Sequence, residues 1–288
     1  MTDAVLPSIA PEASAPPRVG RWRQHAGLFV GAAILAAILL ASLLADWISP
    51  YGPLEQNLRN TLQSPSWAHP FGTDNFGRDI FSRVLHAAKL DLMIGFLCVL
   101  FPWILGTALG GIAGYFGGIV ETIIMRIVDT FSAFPFLIMV IGIIAILGPG
   151  LTSLYIALTL AGWSMYARIV RAEVLVVRQS EYVLAARALG FGHLRIMFRH
   201  MLPNVITPTI IFAMTDIVLV ILSTTSLSFL GLGVQPPTAE WGIMLSEAKG
   251  FLLTAWWMVT LPGIAIVVVG LALSLLGDGV ATWLRERH

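Results

Sequence analysis

The sequence is poor in charged residues and contains almost no cysteine. Only 11% of its 288 residues are charged, against about 25% in an average soluble domain, whereas 57% are hydrophobic. This composition excludes a soluble, disordered, collagenous or coiled-coil protein. The formal net charge of +1 provides no large basic surface for nucleic acid. The single cysteine, Cys98, lies inside an apolar run and cannot form an intramolecular disulfide.

The motifs of several enzyme classes are also missing. There is no G-x-x-x-x-G-K-[ST] loop, so the chain cannot bind ATP phosphates in the usual P-loop manner. The six histidines are scattered without the spacing of a zinc site, and no serine lies in a G-x-S-x-G elbow. We therefore predict that the chain is not an enzyme and binds neither a metal nor a cofactor of its own.

Long apolar runs dominate what is present. A helix of about 20 apolar residues crosses a hydrocarbon core of about 30 Å, and six segments have the length and apolarity of such a helix. These segments are Leu28–Ala45, Leu92–Tyr115, Phe134–Leu147, Leu154–Ile169, Val205–Leu230 and Trp257–Leu276. The sequence predicts an all-α polytopic membrane protein with six transmembrane helices.

Lysine and arginine are distributed unevenly between the two sides that six spans define. Of the 17 such residues, twelve fall on the side that holds both termini and five on the other side. Cytoplasmic loops of membrane proteins carry an excess of lysine and arginine. Both termini are therefore predicted to be cytoplasmic, in a multi-pass protein of the cell (inner) membrane.

The predicted spans divide the chain into four parts. Residues 1–26, rich in proline, alanine and serine at their start, are predicted to be a disordered cytoplasmic tail. Residues 27–46 hold the first transmembrane helix, and residues 47–90 form an extracytoplasmic segment. Residues 91–284 form a five-helix core that includes a cytoplasmic loop at 171–204. Large connections on both faces of a small bundle indicate partners on both faces.

The cytoplasmic loop has the pattern of two short helices around a glycine. The apolar face of the first is formed by Tyr182, Ala185, Ala186 and Leu189. Gly190 follows where a left-handed residue would end this helix. The apolar face of the second is formed by Leu194, Met197, Phe198 and Met201, and Leu202-Pro203 is predicted to end it. Either the membrane surface, with arginines facing anionic lipid, or a cytoplasmic partner must cover these faces.

The spacing of Ala185-Ala186, Gly190 and Leu202-Pro203 resembles the EAA loop of permease subunits of ABC importers. In that family the loop is a coupling helix that docks into a groove on the cytoplasmic ATPase. Two positions depart from the pattern, because Leu184 stands where the family usually has glutamate and His200 where it has isoleucine. The resemblance assigns ATPase coupling to Tyr182, Leu184, Ala185, Ala186, Leu189, Gly190, Leu202 and Pro203.

Two outer segments carry longer motifs. Residues 72–83 read GTDNFGRDIFSR, and residues 229–242 read FLGLGVQPPTAEWG. Taken alone, the first is a glycine-punctuated turn with an aspartate N-cap. Together with Pro262-Gly263 and the LGDG at 276–279, both segments resemble the C-type permease of the dipeptide, oligopeptide and nickel importers. The matches cover roughly residues 65–280.

This resemblance implies a permease subunit that forms half of the translocation pathway for peptides or similar small solutes. The implied partners are a second homologous permease, two cytoplasmic ABC ATPases that bind ATP and Mg, an extracytoplasmic substrate-binding protein, and membrane lipid. An outer gate or docking collar is assigned to Gly72, Thr73, Asp74, Gly77, Arg78, Asp79, Arg83, Glu240 and Trp241.

Two physical expectations accompany this assignment. The charged residues Asp74, Arg78, Asp79 and Arg83 should form a local network of exposed ion pairs, which are worth little individually. The aromatic residues Trp241, Trp256 and Trp257 are of the type that anchors a protein at the membrane interface.

Asp216, the one acid well inside a predicted span, leaves an alternative open. A charge at that depth costs about 2.5–3.5 kcal/mol on insertion scales, so Asp216 should face the bundle or be protonated. It is either an interhelical hydrogen-bonding partner or the proton-coupling residue of a secondary transporter acting alone. A non-transporting membrane scaffold is a third hypothesis. The sequence has no internal repeat, which gives an inverted-repeat carrier no support.

Overall fold

The computed structural model describes residues 21–285, so the first 20 residues of the predicted tail lie outside the described part of the chain. Within that part the chain is helical, and its β-structure is limited to one isolated bridge between Thr73 and Asp79. The helices are α1 (Arg21–Leu43), α2 (Ala45–Ile48), α3 (Ile80–Phe116), α4 (Gly118–Ser132), α5 (Phe136–Leu147), α6 (Leu151–Val177), α7 (Glu181–Ala188), α8 (His193–Arg195), α9 (Leu202–Phe229), α10 (Trp241–Glu247) and α11 (Trp257–Arg285).

Four helical segments of the described chain are long and apolar enough to cross a membrane. They are α1, α3, the continuous run from α8 into α9, and α11. The short helices α4 and α5 meet at an angle of 88° and together could make a fifth, broken span. Helix α6 has 27 residues, but its second half contains Arg168, Arg171 and Glu173, which lower its apolarity. The helical membrane architecture is thus confirmed, with four or five spans by length and composition.

Helices α3 and α6 pack closely through a row of glycines on α3. A Cβ atom on Gly110 would lie 2.3 Å from the carbonyl oxygen of Ala167, and one on Gly106 would lie 2.5 Å from that of Trp163. Gly114 continues the row against α6. Small residues let membrane helices approach until their backbones touch. The α3–α6 pair is therefore the centre of the bundle.

Helix α1 lies at the edge of the bundle and packs mainly on α11. Glycines again permit the approach, because a Cβ on Gly31 would lie 2.7 Å from the carbonyl oxygen of Ala272. Gly279 of α11 has the same relation to Leu28, whose Cα would be 2.6 Å away. The first and last helices of the described chain are thus neighbours.

Asp216 lies on α9 and accepts a hydrogen bond of 2.7 Å from the Tyr166 hydroxyl of α6. Tyr166 is fully buried. The interpretation of Asp216 as an interhelical hydrogen-bonding partner is therefore confirmed, and this bond meets the need for a polar partner inside a span.

Candidate functional site

Four charged side chains form a buried group at the outer end of the bundle, which we call the outer ion cluster: Asp74, Arg78, Arg83 and Glu247. Arg78 donates from Nε to Asp74 Oδ2 at 2.5 Å and from Nη2 to Glu247 Oε2 at 2.7 Å. Arg83 Nη2 donates to the same Glu247 oxygen at 3.2 Å. Arg78 is 2% exposed and Arg83 is 1% exposed. The cluster therefore ties the segment before α3 to the end of α10.

The predicted exposure of these ion pairs is wrong. Asp74, Arg78 and Arg83 do come together, but α10 supplies Glu247 and the surrounding helices exclude water. Breaking a buried pair by removing one partner leaves an uncompensated charge, whereas exposed pairs contribute little. The network is therefore a structural joint with a large energetic consequence.

Asp79 belongs to a different contact from the one that the sequence predicted. One of its carboxylate oxygens lies 2.9 Å from His69 Nδ1, and the other accepts hydrogen bonds from the Ser82 amide and hydroxyl at 2.8 and 2.7 Å. Asp79 is thus the N-cap of α3, as the turn-and-cap interpretation expected. It pairs with a histidine rather than with the arginines.

Backbone geometry fixes the turn that carries this cluster. Gly72 and Gly77 have φ of 74° and 70°, a region that favours glycine. A Cβ on Gly77 would lie 1.9 Å from the carbonyl oxygen of Asn57. Asp74 Oδ1 accepts from the amides of Phe76 and Arg78 at 2.8 and 2.9 Å, which closes the turn. The GTDNFGRD motif therefore encodes one rigid turn.

Glu240 begins α10 and is completely buried. Its two carboxylate oxygens accept from the amides of Gly242 and Ile243, each at 2.8 Å. A second carboxyl group, that of Asp91 on α3, accepts from the Trp241 amide at 3.1 Å. Burial raises the pKa of Glu240 above its usual range, because the cost of desolvating a carboxylate outweighs these hydrogen bonds. Glu240 thus anchors α10 against α3.

Two of the three tryptophans that were expected at the membrane interface lie in the protein core. Trp241 is 1% exposed and donates from Nε1 to the Val84 carbonyl at 3.3 Å. Trp257 is buried and donates to the Thr73 carbonyl at 3.1 Å. Interface anchoring is therefore wrong for these two residues, which instead join α10 and α11 to the outer segment. Trp256 is exposed, and its anchoring stays a prediction.

Sequence reasoning missed Glu247 and Asp91. Glu247 lies 169 residues from Arg78 and 164 residues from Arg83 along the chain, and Asp91 lies 150 residues from Trp241. No local spacing signals such pairs. The available signal is general, since an acid next to a predicted apolar span needs a partner.

At the other end of the bundle, α7 covers the first helix of the predicted coupling loop. Gly190 follows it with φ of 75°, so the expected left-handed residue is confirmed. Val183 and Ala186 are buried, whereas Tyr182, Leu184 and Leu189 are 45%, 51% and 73% exposed.

The predicted apolar face of α7 is therefore wrong in its orientation. Of its four members only Ala186 is buried, together with Val183 three residues earlier. These two pack in one cluster with Tyr115 of α3 and with Val170 and Val174 of α6. The remaining members, Tyr182, Ala185 and Leu189, are exposed to solvent.

The second helix of the loop is also longer than expected. The chain is helical from α8 through a π-helical turn at 196–201 into α9 without a break. Leu202-Pro203 begins α9 instead of ending a helix, because a proline in the first turn lacks only an amide that has no helical partner. Met201 is buried, but Leu194 and Phe198 are 70% and 63% exposed.

Two family models match the chain. The model described as "binding-protein-dependent transport system inner membrane component" matches residues 106–287. The model described as "N-terminal TM domain of oligopeptide transport permease C" matches residues 19–65. Together they leave only the outer segment before and within α3 and the extreme ends unmatched.

Similar proteins extend over nearly the whole chain. The dipeptide transport system permease protein DppC of Alkalihalophilus pseudofirmus is 39% identical, covering 97% of this chain and 96% of the relative. The di/tripeptide transport system permease protein DppC of Pseudomonas aeruginosa is 41% identical, covering 90% and 88%. The nickel transport system permease protein NikC of Escherichia coli is 39% identical, covering 90% and 92%.

Solved structures share the fold at lower sequence identity. A chain of the MetNI methionine ABC transporter in an inward-facing conformation aligns with a TM-score of 0.56 at 18% identity. The alignment covers 69% of this chain and 94% of that chain. A chain of an amino acid ABC transporter aligns with a TM-score of 0.53 at 16% identity, covering 72% and 94%.

Proposed function

Since the chain belongs to the family of inner membrane components of binding-protein-dependent transport systems, we propose that it is the C-type permease subunit of an ATP-driven peptide importer. It forms half of the translocation pathway in the inner membrane. The family consists of membrane subunits that work with ATPases and a binding protein, not of catalytic subunits. The names of its relatives favour peptides, with nickel complexes or other small solutes as further candidates.

The observation that carries the proposal is the exposed apolar face of α7. Tyr182, Leu184 and Leu189 stand outward while Val183 and Ala186 hold the helix on the bundle. Burying an apolar side chain is worth about 1.5–3 kcal/mol relative to leaving it exposed, so this face favours a partner that covers it. We assign the coupling role to this surface, together with Ala185, Ala186, Gly190, Leu202 and Pro203.

The packing of α7 supports a mechanism of transmission. Its buried face contacts the cytoplasmic ends of α3 and α6, and these two helices meet backbone to backbone at Gly106 and Gly110. Close-packed contacts transmit displacement because they have little room to yield. An ATPase that moves α7 would therefore move α3 and α6 together, which switches the access of the pathway between the two sides.

The remaining parts of the assembly follow from the same proposal. A second homologous permease completes the pathway, two ATPases inside bind ATP and Mg, and a substrate-binding protein delivers the solute outside. The turn from Gly72 to Arg83, with Thr73, Gly77 and Asp79, forms a rigid outer surface with Glu240 and Trp241. We assign to it the outer gate or docking collar. A carrier working alone through Asp216 has no comparable support, since the Tyr166 bond engages that carboxylate.

Six spans and cytoplasmic termini complete the model. The spans are α1, α3, the bent pair α4–α5, α6, α9 and α11. The 27 residues of α6 extend about 40 Å at 1.5 Å per residue, enough to cross the hydrocarbon core. The lysine and arginine excess then puts both termini and α7 in the cytoplasm.

Cysteine labelling tests this orientation. Thr61 and Gln179 are both exposed, and the native Cys98 is buried and needs no removal. In intact cells an impermeant thiol reagent should label Thr61→Cys and leave Gln179→Cys unlabelled, and permeabilised cells should show both. Labelling of Gln179→Cys alone in intact cells would reverse the orientation and remove the docking model.

The coupling surface is tested at Gly190, where a side chain meets open space but an unfavourable φ. Gly190→Val should leave the chain inserted in the membrane, weaken co-purification of the ATPases and abolish uptake. The reason is the left-handed φ, which costs about 1 kcal/mol or more for a β-branched residue, with added bulk at the docking groove. Leu184→Glu, which restores the usual residue of the family, should retain the ATPases, whereas a lipid-facing helix would be weakened by that charge.

Gly192→Val is the matched control, because Gly192 also faces open space but has an ordinary φ of −65°. It should bind the ATPases better than Gly190→Val does. Normal uptake and normal ATPase retention by Gly190→Val would show that α7 is not the coupling element.

A further inference from the structure

An apolar groove of about 500 Å³ runs along the last four turns of α3. Ile104 and Ile112 of α3 line one wall, and Leu194 and Phe198 of the helix that leads into α9 line the other. Its volume falls within the roughly 300–1,000 Å³ that is typical of ligand sites. From Trp103 to Phe116 the groove extends about 20 Å at 1.5 Å per residue. This length is comparable to one leaflet of a hydrocarbon core about 30 Å thick.

The end of the groove next to α7 is polar and positively charged. Tyr115 lines the groove there, its hydroxyl lies 2.8 Å from His193 Nδ1, and the guanidinium of Arg187 lies 5.3 Å from its ring centroid. Arg195 and Arg199 follow on the same helical run as the groove-lining residues and are exposed.

These arginines carry unbalanced charge. Arg187, Arg195 and Arg199 form no ion pair with a carboxylate within residues 21–285. By contrast, Arg171 on α6 pairs with Glu121, and Arg168 pairs with Asp129. The cationic group at the groove is therefore available for an anionic ligand, and guanidinium groups match phosphate oxygens in geometry.

We propose that this groove binds an anionic phospholipid of the inner leaflet, with one acyl chain in the groove and its phosphate against Arg195 and Arg199. The inference rests on the proposed cytoplasmic orientation of α7. The apolar wall has the length of a leaflet, and the charge lies at the end where that leaflet's headgroups would be. Basic pockets between membrane helices on the cytoplasmic side are suited to anionic headgroups. A helix of the second permease would fill the apolar wall but would leave the arginines unpaired.

Lipid binding by the purified importer complex tests the proposal. The complex is reconstituted with phosphatidylcholine, and added phosphatidylglycerol is counted on it by native mass spectrometry. The double variant Arg195→Gln/Arg199→Gln should bind phosphatidylglycerol about 30-fold more weakly, taking about 1 kcal/mol for each arginine near an anionic lipid. The control Arg126→Gln/Arg168→Gln removes two exposed arginines away from the groove and should retain wild-type affinity.

A photo-reactive residue in place of Ile104, which is 51% exposed in the groove, identifies the occupant. Cross-linking to phospholipid supports the proposal, and cross-linking to the second permease overturns it. Equal phosphatidylglycerol affinity of the wild-type complex and the double variant also overturns it. Co-purification of the ATPases is recorded on the same samples, so failure of the proposed function is seen separately from failure of lipid binding.

Discussion

Replacing Glu247 by alanine is expected to destabilise the outer end of the bundle by about 3–5 kcal/mol. Glu247 is the carboxylate that contacts both Arg78 and Arg83, which are almost fully buried. Its removal leaves Asp74 as the remaining acid of the outer ion cluster, with two guanidinium groups to balance. Breaking a buried ion pair by removing one partner typically costs this much, because the other charge stays buried without compensation.

Cys98 provides the measurement. It is the single cysteine, it is 1% exposed, and it becomes reactive only when α3 separates from its neighbours. Labelling of the purified chain by a thiol reagent during denaturation, followed by its mass, should shift to much milder conditions in Glu247→Ala. Asp129→Ala is the matched control, since it breaks an exposed ion pair with Arg168 and should cost less than about 1 kcal/mol. Equal stability of the two variants would mean that the cluster contributes nothing.

Gly110→Ala is expected to be about as damaging, with a cost of about 3 kcal/mol. The added Cβ would lie 2.3 Å from the Ala167 carbonyl oxygen and 2.9 Å from its Cα. Because these are backbone atoms, no side chain can rotate away and α6 itself must move. Overpacking of a core costs about 1–3 kcal/mol and occasionally more, which exceeds the gain of about 1 kcal/mol for replacing glycine by alanine inside a helix.

The neighbouring glycine supplies the control for this variant. A Cβ on Gly111 would meet its nearest atom, Val170 Cγ1, at 4.0 Å, an ordinary contact. Gly111→Ala changes the same helix by the same methyl group and should not lower stability. The labelling of Cys98, which packs against α6 in the same cluster, distinguishes the two variants. If both resisted denaturation equally, the close α3–α6 contact would not be a source of stability.

Patterns local in sequence predicted the local structure well. Apolar run length located the spanning helices α1, α3, α9 and α11, because a membrane helix needs about 20 apolar residues irrespective of its neighbours. The αL position of Gly190 and the N-cap at Asp79 also followed from short-range rules, since the groups that satisfy them lie within a few residues.

Features that depend on distant partners were not predictable from spacing. The buried state of Arg78 and Arg83 depends on Glu247, which lies more than 160 residues away. The orientation of α7 failed for a related reason, because its residues offer two overlapping apolar faces. Only contact with Tyr115 and the end of α6 decides that Val183, rather than Tyr182, is buried.

The pairing of α1 with α11 has a consequence for biosynthesis. Gly31 and Gly279, the contact glycines of the two helices, are separated by almost the whole chain. At about 5–20 residues per second, the ribosome needs about 10–50 s to make the intervening segment. During that interval α1 is already inserted in the bilayer, with its glycine face covered by lipid or by an insertion factor. Its native neighbour arrives last, so a nascent chain truncated before α11 should leave α1 accessible to foreign helices.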